Sequence, residues 1–126
     1  MSAFWVFMLI LALFIPILMV IFGKLFLKNI PKEINPVFGY RTTMPMKNKD
    51  TWEFAHKYCG KLWFRSGLVM LPLAVVPLLF MLNKSMSAIG TAVLIIELVQ
   101  LIPMLVSIFM TEAALKKAFD KNGMRR

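Results

Sequence analysis

Apolar side chains in this chain fall in three long blocks rather than in the short periodic stripes of a soluble domain. Residues 3–22 carry no charge and end at Gly23-Lys24. Residues 62–82 carry only Arg65, close to their start, and residues 88–110 carry only Glu97, near their middle. A helix rises about 1.5 Å per residue, so roughly 20 apolar residues cross a ~30 Å hydrocarbon core. The pattern predicts an all-α integral membrane protein with three transmembrane helices, over about 3–22, 62–82 and 88–110. The first block lacks a basic flank and a small-residue cleavage signal, and it is too long for a typical signal-peptide core. It is expected to remain as the first span of a single membrane domain covering 1–126.

Composition sharpens this picture. Hydrophobic residues make up 60% of the 126, against about 45–50% in soluble domains, which leaves too little polar surface to solvate a small globule. Lys and Arg number 15 against 6 Asp and Glu, for a net charge of +9. The excess sits in the loop 24–61 and the tail 111–126. Three spans put both segments on one side, so the positive-inside rule predicts an outside N-terminus and a cytoplasmic C-terminus. Cationic flanks of this kind suit anionic lipid headgroups. No helix-turn-helix, zinc-finger or RNA-binding signature accompanies them, so membrane lipids and not nucleic acid are the expected partners. The single Cys59 excludes a disulfide scaffold.

Prolines and small residues bear on how the spans associate. Pro16, Pro72, Pro77 and Pro103 each remove a backbone donor and bend their helix. Pro72 frees the carbonyl of Leu68 and Pro103 that of Val99, and such groups need partners where there is no water. Gly60 and Gly67, seven apart, put small residues on one face and allow another helix to come close. Glu97 is an acid deep within a span, where ionisable groups are rare and functional by default. It is expected to donate, as a carboxylic acid, to a freed carbonyl such as that of Leu68, with Gln100 extending the same polar face. Arg65 lies too near the cytoplasmic boundary to reach it.

The loop 24–61 holds most of the candidate chemistry. Lys24 and Lys28 extend the first helix and snorkel, and Pro31 and Asn35-Pro36 then break it. Asp50, with Glu53 three residues on, is expected to cap a new helix from Thr51. This interfacial helix precedes the second span and either runs straight into it or bends near Gly60. Trp52, His56, Cys59 and Trp63 share one stripe of it, and with Tyr58 and Phe64 they first suggest an aromatic belt at the membrane–water boundary. A sharper alternative makes His56 and Cys59 a nucleophile–base or metal pair, but no orienting third group is evident. Glu53-x-x-His56 matches half of a di-metal motif that lacks its second copy. Met44 and Met46 offer soft sulfur to Cu(I), although most methionines in so apolar a chain serve packing. With no metalloprotease, nucleophile-elbow or P-loop motif, the chain is expected not to be an enzyme, and no metal or cofactor is assigned.

One constellation in the loop is specific. Asn35-Pro36-x-x-Gly39-Tyr40-Arg41-Thr42, then Met46-Lys47-Asn48, then Trp52-x-x-Ala55-His56-x-x-x-Gly60-Lys61 and Gly67 resemble the SdpI family of bacterial membrane proteins. Pro45 stands where the family often has Ser, and the namesake has an additional membrane-spanning half. The resemblance implies a multi-pass protein of the bacterial cytoplasmic membrane, conferring immunity or resistance to a secreted membrane-active peptide by non-covalent binding or blocking. It also brings in sequestration of a transcriptional repressor, a role tied to the longer architecture. Arg41 offers five donors suited to a phosphate or carboxylate; Thr42, Lys47 and Asn48 complete either an anion site or a loop-ordering network. The alternatives are a small proton-coupled transporter or channel, a regulatory subunit of a membrane complex, and, last, a Cys/His membrane enzyme. A homo-oligomer or a cytoplasmic partner fits the small size.

Overall fold

The computed structural model describes residues 2–28 and 45–126, and these form three long helices with no strand pairing beyond one isolated bridge. Helix α1 spans Ala3–Lys28, α2 Lys49–Leu79 and α3 Met86–Ala118; a single 3-10 turn, Pro45–Lys47, precedes α2. All three helices are long and apolar enough to cross a membrane.

Each helix start has a side-chain cap. Ser2 Oγ accepts from the Trp5 amide at 3.1 Å, and Ser85 Oγ accepts from the Ala88 amide at 3.1 Å. At α2 the cap is Asn48, two residues before the expected Asp50. Its Oδ1 accepts from Thr51 N at 2.9 Å while Thr51 Oγ1 accepts from Asn48 N at 3.1 Å. This reciprocal pair satisfies two otherwise orphaned amides. Basic residues close α1 (Lys28) and α3 (Lys116, Lys117), where cations oppose the negative end of the helix dipole.

The helices outrun the apolar blocks that predicted them. The expected interfacial helix is not a separate element: residues 49–61 are the first part of α2, one unbroken helix from Lys49 to Leu79. Gly60 produces no boundary, because its missing side chain serves close packing against α1.

Glycines set that packing. A Cβ on Gly23 would lie 2.6 Å from the Phe64 amide nitrogen and 2.8 Å from the Gly60 carbonyl. One on Gly60 would meet Phe26 Cβ at 2.8 Å, and one on Gly67 the Pro16 carbonyl at 2.8 Å. Thus α1 and α2 run antiparallel with their backbones almost touching, as small residues permit. The closed side of the bundle has two apolar centres. Trp5, Ala12, Ala74, Leu78, Ile89 and Val93 form one, near the connection between α2 and α3. Ala55, Cys59, Leu115 and Phe119 form the other, at the opposite end. The outer surface is also apolar: Phe7, Phe14, Leu73, Ile102 and Phe109 are each more than half exposed. In water that would be a severe aggregation liability; in a bilayer it is the solvated face.

Candidate functional site

One polar side chain inside the bundle meets a backbone group that has been deprived of its partner. Pro16 has no amide hydrogen, so the carbonyl of Ala12, four residues earlier, is freed within α1. Gln100 on α3 supplies the missing donor: Nε2 reaches Ala12 O at 2.9 Å, in a buried bond between helices. Trp5 makes a second link at the far end, its indole Nε1 donating at 2.8 Å to the Leu78 carbonyl in the last turn of α2, which also accepts from Met81 N. The Cys59 thiol lies beside the Thr111 side chain. Thr111 Oγ1 donates to Ser107 O, and Ser107 Oγ to Pro103 O, both at 2.7 Å. Gln100, Ser107, Thr111 and Leu115 are therefore one buried stripe of α3.

The expected rescue of a proline-freed carbonyl thus occurs, at a different proline and by a different residue. Glu97 is half-buried, and its Oε1 is enclosed with no hydrogen-bond partner among the described residues. Gln100 Oε1 and Trp63 Nε1 share that condition. Arg65 is exposed, beside a shallow groove formed with Ser66, Val69, Met70, Leu73 and Pro103. Gln100→Leu is expected to lower stability by about 1 kcal/mol, the usual scale of an interhelical bond in a membrane protein. With Pro16→Ala in the background, residue 16 regains its amide and can bond Ala12, so the same substitution should cost distinctly less. Unfolding midpoints in mild detergent check the cycle, and equal losses in both backgrounds would separate Gln100 from the proline.

The aromatic stripe of α2 is continuous, as its spacing requires, but it faces inward. Trp52, His56 and Cys59 are fully buried, whereas a belt at the membrane boundary keeps its polar tips wet. His56 lies between Trp52, centroids 4.3 Å apart, and Phe26 of α1, 4.8 Å away and edge-on. Its Nδ1 is 2.7 Å from the Trp52 carbonyl; because a carbonyl only accepts, Nδ1 carries the proton. That nitrogen is therefore taken up by the Trp52 carbonyl. Glu53, one turn earlier on α2, is exposed while His56 is buried. Among the described residues no group of three His, Cys, Asp or Glu side chains is arranged to hold a metal.

Of the motif residues, Asn35, Pro36, Gly39, Tyr40, Arg41 and Thr42 lie outside the described residues, as does Met44. Met46 and Lys47 sit in the 3-10 turn, and Gly60 is at the α1 contact. Asn48 has a second duty beyond its cap. Its Nδ2 donates to the Gly123 carbonyl at 2.6 Å, and Lys47 Nζ donates to the Lys121 carbonyl. These bonds fasten the tail, which folds as a small hairpin: Phe119 bridges Arg125, Asp120 N donates to Met124 O, and Asp120 Oδ1 accepts from Asn122 N and Met124 N. Gly123 makes the turn with φ +81°, a conformation that suits glycine. The tail contact was not expected, although Asp120-x-Asn122-Gly123 is a recognisable turn signal.

Three long helices with apolar exteriors and inward polar links define a small multi-pass helical membrane protein. The chain belongs to the SdpI/YfhL protein family, whose model matches residues 32–111. It is 35% identical over 107 residues to the uncharacterized protein YfhL of Bacillus subtilis (strain 168), an alignment covering 84% of this chain and 86% of that protein. No solved structure matches it.

Proposed function

We propose that this protein confers resistance to a membrane-active peptide in the bacterial cytoplasmic membrane, by binding or blocking and without covalent chemistry. Family membership carries the reading: the match over 32–111 includes every motif residue, from Asn35 to Gly67, on which the resemblance to self-protection proteins rests. In this reading the N-terminus is outside and the basic segments are cytoplasmic. The connection between α2 and α3, residues 80–85, then lies outside. It is too short to form a receptor domain, so recognition takes place within the bilayer, on the exposed apolar helix faces.

Expression in a peptide-sensitive bacterium should protect it, with the peptide recovered intact from protected cells. Arg41→Ala should abolish protection at unchanged membrane abundance. Trp52 is unsuited to this test, because truncating a fully buried indole acts first on stability. A degraded peptide, or full protection by the Arg41 variant, would overturn the proposal. A second reading, a small proton-coupled transporter, draws support from the enclosed Glu97 Oε1. Solute flux in liposomes that Glu97→Gln abolishes, together with no protection against a broad peptide panel, would favour it.

A further inference from the structure

The charged stretch at the start of α2 is not uniformly cationic. Asp50, Glu53, Lys57 and Lys61 follow one another at spacings of three and four, which places them on one stripe of the helix. With Phe54, Tyr58 and Arg125 of the tail they line a groove of about 290 Å³, at the small end of the range for ligand pockets. Phe54 and Tyr58 lie nearly parallel, centroids 5.9 Å apart, and give the groove an aromatic wall. Arg125 is held in place from behind: its guanidinium sits 4.9 Å over the ring of the fully buried Phe119. The hairpin that carries it is tied down by Asn48.

Opposite charges line this groove without neutralising one another. Glu53 and Lys57 have the spacing of a helical ion pair, yet among the described residues no ion pair joins the two carboxylates to the three cations. The charges are also ordered. Lys57 and Lys61 stand next to the apolar block that begins at Leu62, and Glu53 and Asp50 stand progressively farther from it. We propose that the groove binds the phosphoethanolamine headgroup of a membrane phospholipid, its phosphate against Lys57, Lys61 and Arg125 and its ammonium against Glu53 and Asp50.

The order of groups in such a lipid is acyl chain, phosphate, then amine, the order in which the helix presents apolar, cationic and acidic side chains. Glu53 and Lys57 are separated by about 6 Å of helical rise, a distance their side chains bridge to a phosphate and amine two carbons apart. The acidic end selects among headgroups. A primary ammonium brings N–H donors to the carboxylates, as a lysine ammonium does; a quaternary choline nitrogen has none. An anionic glycerol headgroup leaves both carboxylates without a counter-charge. The proposal requires only that α2 cross the membrane, and it is independent of the peptide-resistance reading.

Native mass spectrometry of the purified full chain tests this, with equimolar dioleoyl lipids bearing ethanolamine, glycerol and choline headgroups. The ethanolamine lipid should be retained several-fold over the other two. Asp50→Asn/Glu53→Gln should shift the preference to the glycerol lipid, and Lys57→Gln/Lys61→Gln should abolish selectivity. All four side chains are exposed, so circular dichroism and thermal midpoints should stay at wild-type values. Equal retention of the three lipids by the wild-type chain, or an ethanolamine preference that survives loss of both acids, would overturn the assignment. So would complete displacement by millimolar O-phosphoethanolamine, which would make the groove a site for a soluble ligand.

Discussion

Gly23→Ala should force α1 away from α2, with a loss at the upper end of the ~1–3 kcal/mol range for overpacking. The new methyl would lie 2.6 Å from one backbone atom and 2.8 Å from another. Neither can rotate aside as a side chain tip would, so relief requires a shift of one whole helix. That shift would also strain the Gly60 and Gly67 contacts on the same interface. Gly90→Ala is the matched control. There the nearest atom is the flexible end of Met8, at 3.8 Å, and alanine is the better helix former. Unfolding in mild detergent should show a clear drop for position 23 and no loss for position 90. Similar midpoints for the two variants would remove the close α1–α2 approach as the basis of stability.

Phe119→Ala should be costlier, about 3–5 kcal/mol, the scale for deleting a buried aromatic ring. Phe119 has no exposed surface, meets Phe54 edge-on at 5.5 Å and lies under the Arg125 guanidinium. Its removal empties the apolar centre at that end and takes away the platform of the hairpin. Limited proteolysis should then release the last residues of the tail, alongside the fall in midpoint. Lys121→Ala should change neither readout, since Lys121 contributes its main-chain carbonyl to the clamp. A stable Phe119 variant with a protected tail would assign the docking to the bonds of Lys47, Asn48 and Arg126. Arg126 already bonds the Lys116 and Phe119 carbonyls.

How far the sequence foretold these features follows from what hydropathy measures. Three apolar blocks specify three helices because crossing hydrocarbon demands both length and internal hydrogen bonding. They locate the helix ends poorly: hydropathy marks contact with lipid, whereas a helix continues as long as its backbone bonds do. Hence α3 continues beyond residue 110 through Lys116 and Lys117, whereas the extension of α1 to Lys28 was legible only from the four-residue spacing of Lys24 and Lys28. The cap at Asn48 was hidden by Asp50, an equally good cap former; the reciprocal bond with Thr51 decides between them. Gly60 and Gly67 were legible because they repeat along one helix. Gly23, alone in another, has no internal partner to signal its role. Gln100 was visible as a polar residue in a span, but its partner was a main-chain group 88 residues away, which no local pattern encodes.

That separation also has a meaning in time. Translation at roughly 5–20 residues per second leaves about 4–18 s between synthesis of Ala12 and of Gln100. Over that interval the first span has a main-chain acceptor whose final donor does not yet exist, and in hydrocarbon such a vacancy costs several kcal/mol. Water, headgroups or the insertion machinery must serve it meanwhile. The later helix α3 completes the earlier α1, so the order of synthesis is written into a single amide.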